Sequence, residues 1–395
     1  MVGLNVADTF IVDVPTIRPH VLAMATMHSQ AMVIVRLTDS DGVEGIGEGT
    51  TIGGLSYGEE SPESIKSAIE TYIVPVLKTC DLTQIGATMA KVAKCVRGNH
   101  FAKCAVETAL LDMAGKRLGI PTSELIGGGR VRDSLPVAWT LASGDTARDI
   151  AEGEEMLDQR RHRIFKLKIG KRDVRDDVAH VGAICKALGD RASVRVDVNQ
   201  NWSETQAKLG MAMLHDVGCD LVEQPVAGDA VAAMARLAKD QAVPLMADEA
   251  LHGPRSAFRL ASAHAAGVFA LKIAQSGGLL ATAQVAAIGA AAGIGLYGGT
   301  MLEGGVGTAA SAQVFATVSD LAWGTELFGP LLQTQEILAE PLAYGDYSLV
   351  VPTGPGLGIA LDEDKVAFFR RDRVRAGALR AGPAFLRRVG ESCGR

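Results

Sequence analysis

Ile164-Phe-Lys-Leu-Lys-Ile169 is a short apolar run that carries two lysines, and the runs Ser193-Val-Arg-Val-Asp-Val198 and Asp220-Leu-Val-Glu223 follow it along the chain. Ala-rich stretches with the apolar spacing of helices lie between such runs, for example at 205–216 and 230–240. Alternation of strand and helix at a regular interval is typical of repeated βαβ units around a parallel sheet.

The interval can be counted from the residue that ends each strand. Steps of 29, 26, 25, 24, 25 and 29 residues join Lys168, Asp197, Glu223, Asp248, Lys272, Tyr297 and Glu326. An earlier strand near Val137 brings the predicted number of strands to eight. A doubly wound sheet would also alternate, but not so regularly, so we predict an α/β fold with a (β/α)8 TIM-type barrel.

The segments on either side of the barrel do not show the regular alternation of strand and helix. Residues 31–37 and 43–48 predict an antiparallel hairpin, and residues 101–118 predict a helix that ends before Gly119 and Pro121. We therefore divide the chain into an N-terminal α+β capping domain (1–130), the barrel with its site (131–344), a C-terminal segment that packs on the cap (345–370) and an Arg-rich tail (371–395).

Composition excludes several classes of protein. The chain has 395 residues, of which 48% are hydrophobic, and no apolar run reaches the length of a membrane span. A net charge of −6 argues against a nucleic-acid or acidic-membrane partner. Six scattered cysteines without a C-x-x-C pair predict reduced thiols, and the first residues resemble neither a signal nor a transit peptide. We expect a cytoplasmic protein.

Charged residues end five successive apolar strands of the predicted barrel. Three of them are carboxylates, Asp197, Glu223 and Asp248, and they are predicted to converge at the carboxyl-terminal face where barrel enzymes have their active sites. Oxygen ligands without nearby His or Cys suit Mg²⁺ or Mn²⁺ and not Zn²⁺. The alternative is a network of buried lysine–carboxylate ion pairs that braces the barrel.

Three lysines lie near these carboxylates. Lys166 and Lys168 are one residue apart on a strand and so point to the same side, and a neighbouring cation favours the neutral amine that Lys168 would need as a base. Lys272 lies four strands away, across the barrel mouth. Proton transfer next to a carboxylate fits this set, because the anion it forms needs a metal and cationic lysines for stabilisation.

The motifs resemble those of the enolase superfamily, in its muconate-lactonizing subgroup. The resemblance covers residues 8–370 and is carried by Phe165-Lys-Leu-Lys-Ile-Gly170, Val194-Arg-Val-Asp-Val-Asn-Gln200, Val222-Glu-Gln-Pro225, Met246-Ala-Asp-Glu249, Ala270-Leu-Lys-Ile273, Thr51-Ile-Gly-Gly-Leu-Ser-Tyr-Gly58, Tyr297-Gly-Gly-Thr-Met-Leu-Glu303 and Trp323-Gly-Thr-Glu-Leu-Phe-Gly-Pro330.

The resemblance implies a role for each matching position. Asp197, Glu223 and Asp248 match the metal ligands. Lys168 matches the catalytic acid–base, Lys166 its electrostatic support, Lys272 the lysine on the opposite face, and Glu326 a second acid–base position. Cap loops near 17–26 and 51–57 would close over the substrate, and the lining positions would be Ile52, Tyr57 and Phe328. Asn199, two residues after Asp197 and so on the same side of the strand, is expected to orient a ligand or the substrate. Glu249 and Glu303 are interpreted as an ion partner and a loop contact.

The implied reaction is the reversible lactonisation of the dicarboxylate cis,cis-muconate to muconolactone in catechol degradation, with Mn²⁺ or Mg²⁺. A chlorinated or sulfonated muconate stays open as the substrate. So do other lysine-pair reactions, namely o-succinylbenzoate synthesis, N-acyl amino acid racemisation and dipeptide epimerisation, and a binding protein without turnover. The resemblance also implies a homo-oligomer, with the octamer as one form.

Overall fold

The computed structural model describes residues 1–21 and 26–372. The predicted Arg-rich tail therefore lies outside the described residues, apart from Arg371 and Asp372. No helix in the described parts has the length and apolar character that crossing a membrane requires.

The N-terminal part is a three-stranded antiparallel sheet covered by helices. The strands are β1 (Leu4–Val21), β2 (Thr26–Asp39) and β3 (Glu44–Thr50), in the order β1-β2-β3. The hairpin predicted around Asp41 is confirmed by the pairing of Thr38 with Glu44. The helices are α1 (Pro62–Ala68), α2 (Val74–Leu77), α3 (Ile85–Cys95), α4 (His100–Leu118) and α5 (Thr122–Gly127), with a π-helical turn at Ile69–Ile73.

Helix α4 begins and ends where its sequence predicts, and it packs on β3 at very short range. Gly119 adopts a left-handed conformation with φ 71° and ends the helix. A Cβ on Gly47 would lie 1.9 Å from the carbonyl oxygen of Ala105, and one on Gly45 would lie 2.0 Å from that of Ala109. The two glycines of β3 therefore allow the helix backbone to contact the strand directly.

The central part is a parallel sheet that closes on itself. Its strands are β5 (Trp139–Leu141), β6 (Ile164–Lys168), β7 (Ser193–Asp197), β8 (Leu221–Glu223), β9 (Leu245–Ala247), β10 (Val268–Leu271) and β11 (Gly295–Gly298), preceded by the short antiparallel strand β4 (Ser134–Pro136). The intervening helices are α6 (Thr146–Asp158), α7 (Val174–Leu188), α8 (Glu204–Asp216), α9 (Val231–Asp240), α10 (Pro254–Ser262), α11 (Ile273–Ser276), α12 (Leu279–Ala291) and α13 (Gly305–Phe315), with a 3-10 turn at Gly189–Arg191.

The eighth position of the barrel is a single bridging residue and not a regular strand. Thr325 forms parallel bridges both to Gly298 of β11 and to Val137, which precedes β5. The amide of Glu326 donates to Gly298 O, and the amide of Ala138 donates to Thr325 O. The predicted barrel is confirmed, and its last strand is reduced to the short stretch that places Glu326.

The interior of the barrel is filled below the charged face. Leu221, Met246, Val268, Ala270 and Tyr297 form one buried cluster from successive strands, with Trp323 packed against it. This apolar layer lies beneath the strand ends that carry the predicted site, so the barrel is a packed core with chemistry at one end.

The last described segment returns to the cap. It comprises α14 (Gly329–Leu332), β12 (Tyr344–Gly345), β13 (Ser348–Val350) and α15 (Glu363–Phe369). Strand β13 pairs with β4, whereas α15 contacts β1. Arg370 bridges to Val12, and the Arg371 guanidinium bonds Asp13 at 2.7 Å. The two ends of the described chain are thus joined on one sheet.

Candidate active site

The register of the sheet brings the predicted charged residues to one edge. Lys168 pairs directly with Asp197, and Asp197 pairs with Glu223 across three neighbouring parallel strands. Asp248 follows β9, and Lys272 follows β10. Because all these strands are parallel, their carboxyl ends face the same way, toward the cap.

These residues lie around one cavity between cap and barrel. Ile52 and Tyr57 reach it from the cap, and Asn199 and Phe328 reach it from the barrel. The predicted residues that line it are Lys166, Lys168, Asp197, Asp248, Lys272, Glu326, Ile52, Tyr57, Asn199 and Phe328. Glu223 does not line the cavity, since its carboxylate is buried beneath Lys166.

Lys166 is a buried cation that donates hydrogen bonds to two carboxylates and forms an ion pair with a third. Its Nζ lies 2.5 Å from Glu326 Oε2, 3.0 Å from Glu223 Oε2 and 3.7 Å from Asp197 Oδ2. Burial lowers the pKa of this lysine, but Glu223 and Glu326 raise it more, and the pKa stays well above its ordinary value. Lys166 therefore remains an ammonium that supplies positive charge below the substrate cavity.

Lys168 is the more accessible lysine of the pair. Its side chain is 17% exposed, against 4% for Lys166, and its Nζ donates to Asp197 Oδ2 at 2.5 Å. The other oxygen of Asp197 accepts the backbone N–H of Asn199 at 2.9 Å. Lys168 thus faces the cavity with an orienting carboxylate on one side, as a group that exchanges protons with a ligand requires.

Lys272 lies on the opposite side and is held by the cap. Its Nζ donates to Asp248 Oδ2 at 2.7 Å and to Tyr57 Oη at 2.8 Å, while the Tyr57 hydroxyl donates to the same Asp248 oxygen. Burial lowers the pKa of Lys272, but Asp248 outweighs burial and the pKa is raised. Tyr57 therefore connects the cap loop to the charged face of the barrel.

Each of the three carboxylates predicted to bind a metal is paired with a lysine. Among residues 1–21 and 26–372, no three His, Cys, Asp or Glu side chains form a group already arranged around an ion, because lysines bond each carboxylate. The ion-pair network foreseen as the alternative is therefore present. Within the same described residues, however, Glu223 Oε1 and Asp248 Oδ1 are buried without a hydrogen-bond partner.

Those two oxygens fit a cation. Burial and then repulsion from Asp197 raise the pKa of Glu223 well above its ordinary value, because its carboxyl group is desolvated next to another carboxylate. Two buried oxygens without partners are costly unless an ion or proton binds them. The donor set is oxygen only, so the site suits a hard divalent cation.

Four further residues line the cavity that sequence reasoning did not single out. They are His20, Thr140, Thr300 and Leu302. Burial, with Lys168, Arg18 and Lys166 nearby, lowers the pKa of His20 to about 3, so its imidazole is neutral. His20 lies in the cap segment 17–26 that was expected to close over the substrate, which is the one signal that could have found it.

Two glutamates have contacts that differ in part from those expected. Glu249 was interpreted as an ion partner, but its Oε1 accepts from Asn199 Nδ2 at 3.0 Å. Burial, Asp248 and Asp197 raise the pKa of Glu249 to about 8, which disfavours its charged form. Glu303 is a loop contact, as expected, since it accepts from the Thr300 hydroxyl and from the amide of Met301.

A glutamine also shapes the site. Gln224 Oε1 accepts the backbone N–H groups of Asp248 and Ala250 at 3.0 and 3.1 Å, and its Nε2 donates to Val226 O. It therefore fixes the loop after β9 to the end of β8. A neutral amide carries none of the charge signal that identified the other residues, so the sequence did not single it out.

Comparison with known families matches nearly the whole chain. Residues 6–127 match the family described as mandelate racemase / muconate lactonizing enzyme, N-terminal domain. Residues 148–365 match the family described as enolase C-terminal domain-like.

Individual relatives are similar over their full lengths. A muconate cycloisomerase 1-2 of Acinetobacter lwoffii is 60% identical over 377 residues, which cover 95% of this chain and 97% of the relative. A chloromuconate cycloisomerase of Delftia acidovorans is 45% identical over 368 residues, covering 93% and 99%. The crystal structure of a muconate lactonizing enzyme from Pseudomonas fluorescens complexed with muconolactone is 59% identical, with a TM-score of 0.92 and coverage of 93% and 99%.

Proposed function

Since the chain belongs to the mandelate racemase / muconate lactonizing enzyme family of the enolase superfamily, we propose that it catalyses the reversible cycloisomerisation of cis,cis-muconate to muconolactone. The observation that carries the proposal is the difference between relatives. The relative named for unsubstituted muconate is 60% identical, whereas the one named for chloromuconate is 45% identical, over nearly the same length.

Lys168 is the residue to which we assign the proton transfer. One carboxylate oxygen of the substrate forms a C–O bond with a carbon of the diene, and the displaced π electrons move toward the second carboxylate. The Lys168 ammonium then donates a proton to the carbon next to that carboxylate, and the neutral amine is left. In the reverse direction the amine removes the same proton, and the C–O bond breaks. Lys168 is the accessible lysine of the pair, which supports this assignment.

The other charged residues stabilise the negative charge that develops. Lys166 stays an ammonium beneath the cavity, and Lys272 presents a second ammonium from the opposite side. Preoriented cations in a buried site stabilise such an anion more than water would. Glu326 lines the cavity, accepts a hydrogen bond from Lys166 at 2.5 Å and is assigned the second acid–base position.

Asp197, Glu223 and Asp248 are the residues that would hold the divalent cation used by enzymes of this family, and we propose Mn²⁺ or Mg²⁺. When bound, such a cation supplies Lewis-acid stabilisation of a carboxylate. The chain's own contribution is to keep the three carboxylates oriented. Gln224 Oε1 accepts the backbone N–H of Asp248, and the backbone N–H of Asn199 donates to Asp197 Oδ1.

The lining residues favour a folded dicarboxylate. Ile52 and Phe328 supply apolar walls, while Tyr57 and Asn199 supply polar atoms near the strand ends. Asn199 Oδ1 is buried without a hydrogen-bond partner among the described residues, so it is available to a ligand. Holding the substrate folded places its carboxylate near the diene and lowers the entropy cost of ring closure.

We also propose a homo-oligomer, with the octamer as one candidate, and sedimentation velocity would test it.

The experiment follows loss of the ultraviolet absorbance of cis,cis-muconate. Purified protein is assayed with Mn²⁺ or Mg²⁺, after chelation, and as the variants Lys168→Ala and Lys186→Ala. Lys186 is an exposed lysine of α7 and serves as the matched control. We expect metal-dependent loss of absorbance in wild type and Lys186→Ala, and at least about a thousandfold decrease of kcat in Lys168→Ala, since general acid–base catalysis contributes on that order.

The outcomes separate the parts of the proposal. No loss of absorbance in wild type with added metal rejects muconate as the substrate, and a chlorinated muconate is then tested first. Full activity of Lys168→Ala rejects the assigned proton donor but leaves the reaction in place. Activity that survives chelation rejects the role of the carboxylate trio.

A further inference from the structure

The sheet of the cap holds a loop of the barrel that lines the substrate cavity. The side chain of Gln30, on β2, is 3% exposed, and its Nε2 donates to Leu302 O at 2.9 Å and to Met301 O at 3.2 Å. These two carbonyls belong to the loop that follows β11. A buried cap residue thus satisfies two backbone acceptors of the barrel.

A second cap residue binds the same loop from the next strand. Glu48, on β3, is buried, and its carboxylate accepts the N–H groups of Gly304 and Gly307, both at 2.7 Å. These groups open helix α13, whose own N-cap residue, Gly304, has no side chain to bind them. The Thr50 hydroxyl donates to Glu48 at 2.6 Å and completes its bonding.

The loop that Gln30 binds directly, and that Glu48 binds just beyond its carboxyl end, forms one wall of the cavity in a conformation that needs support. Thr300 and Leu302 line the cavity, and Leu302 has a left-handed backbone with φ 59°. A bulky residue in that conformation is an outlier that its surroundings must stabilise. On the far side the backbone of Gly329 contacts the same loop, since a Cβ there would lie 2.1 Å from Glu303 O. The wall is therefore clamped between the cap and the turn that carries Phe328.

We propose that Gln30 and Glu48 are positioning residues that fix this wall, defined as residues 300–302, and so determine which muconates the cavity accepts. The inference rests on the proposed function. Neither residue lines the cavity, so each acts through the loop and not on the substrate. Releasing either contact frees Leu302 to leave its left-handed conformation, which enlarges the cavity at this wall.

A comparable cap residue offers a matched control. Glu107, on α4, is also buried, and its carboxylate accepts the N–H of Leu280 at 3.1 Å, at the start of helix α12. The beginning of α12 does not line the cavity. Glu107 therefore makes the same kind of contact between cap and barrel as Glu48 but without touching the wall.

The test compares the variants Gln30→Met, Glu48→Gln and Glu107→Gln by steady-state kinetics with cis,cis-muconate and 3-chloro-cis,cis-muconate. Gln30→Met keeps the volume but removes the donor, and Glu48→Gln cannot accept both N–H groups. For these two we expect KM for muconate to rise with a smaller change in kcat, because misplacement of a group by about 1 Å can cost up to about a hundredfold. We also expect their preference for unsubstituted over chlorinated muconate to decrease. Glu107→Gln keeps the wild-type KM and preference.

Amide hydrogen exchange gives a readout that does not depend on turnover. We expect faster exchange over 300–307 in Gln30→Met and Glu48→Gln, with 279–282 unchanged, and the reverse in Glu107→Gln. If Gln30→Met does not fold, Glu48→Gln carries the same comparison.

Unchanged KM and preference in the folded variants overturn the positioning role, even if exchange is faster. An equal KM increase in Glu107→Gln overturns it as well, because the effect would then be general to the cap. Failure of wild type to convert muconate rejects the proposed function instead, and the exchange experiment still decides whether the two cap residues hold the loop.

Discussion

Two lysines of one strand show how environment assigns roles to identical side chains. Both line the cavity, but Lys166 contacts three carboxylates and is almost fully buried, whereas Lys168 contacts only Asp197 among the described residues and is more exposed. A buried ammonium with several anionic partners is fixed in charge and position. An accessible one with a single partner is free to exchange its proton with a ligand, which is why the proton transfer is assigned to Lys168.

At the scale of the residue, the charged members of the site could be predicted from the sequence pattern. The neutral lining residues Ile52, Tyr57 and Phe328 were expected only from the family resemblance, and other neutral residues of the site were missed. Lysines and carboxylates inside apolar strands are conspicuous, because burying a charge is costly without a partner. Thr140 and Leu302 carry no such signal, and they reach the cavity only through strand register and the clamped loop. Gln224 was missed for the same reason.

His162 is expected to make the protein less stable in acid. It is buried, stacked on Trp139 with ring centroids 5.1 Å apart, and its Nδ1 is 2.9 Å from Val137 O. Burial lowers its pKa from 6.5 to about 4. The unfolded chain therefore binds a proton at higher pH than the native state does. The stabilisation is complete above pH 6.5 and is lost as the pH falls through about 4, by about 3 kcal/mol in total.

The measurement is urea unfolding between pH 7 and pH 4. We expect the free energy of unfolding of His162→Asn to decrease less steeply with acid than that of wild type. The exposed His215→Asn should keep the wild-type slope. An identical slope in His162→Asn and wild type would show that this histidine is not protonated on unfolding.

At the scale of the element, the contact of β3 with α4 predicts a severe effect of one methyl group. Gly47→Ala places a Cβ 1.9 Å from Ala105 O, a backbone atom that cannot move without shifting the helix. We expect a loss of at least about 2 kcal/mol in the free energy of unfolding, as overpacking of a tight contact costs. Gly86→Ala, in the exposed start of α3 where nothing lies within 4 Å, should change stability slightly or raise it. Equal stability of both variants would contradict the close approach.

The eighth barrel position shows what a regular spacing can and cannot predict. The step of 29 residues to Glu326 located the residue correctly, because the carboxyl end of the last position must meet the others. It did not reveal that Thr325 alone bridges the two neighbours. Gly324, with φ 71°, precedes it and breaks the extended backbone, so a regular strand does not form. Periodicity therefore predicts where an element ends better than how long it is.

At the scale of the whole molecule, the site is built from both parts of the chain. The barrel and its carboxylates could be predicted from spacing. The contacts between cap and barrel could not, because they join residues far apart in sequence. Tyr57 bonds Asp248 and Lys272, and Glu48 binds the start of α13. These contacts couple the cap to the strand ends, so a change at the strand ends is expected to affect the stability of the whole chain.

Binding of a divalent cation is therefore expected to stabilise cap and barrel together. Glu223 Oε1 and Asp248 Oδ1 lack partners within the described residues, and an ion that binds them in the folded state alone shifts unfolding by mass action. With Mn²⁺ or Mg²⁺ at about a hundredfold excess over its Kd, the gain is about 2.7 kcal/mol. Calorimetry should show one transition that moves to higher temperature with metal and returns after chelation.

The variant Glu223→Gln should lose this metal-dependent shift. Asp240→Asn, which changes an exposed carboxylate on α9, should keep it. A metal-dependent shift that persists in Glu223→Gln would place the ion elsewhere, and a shift of only part of the transition would show that cap and barrel unfold separately.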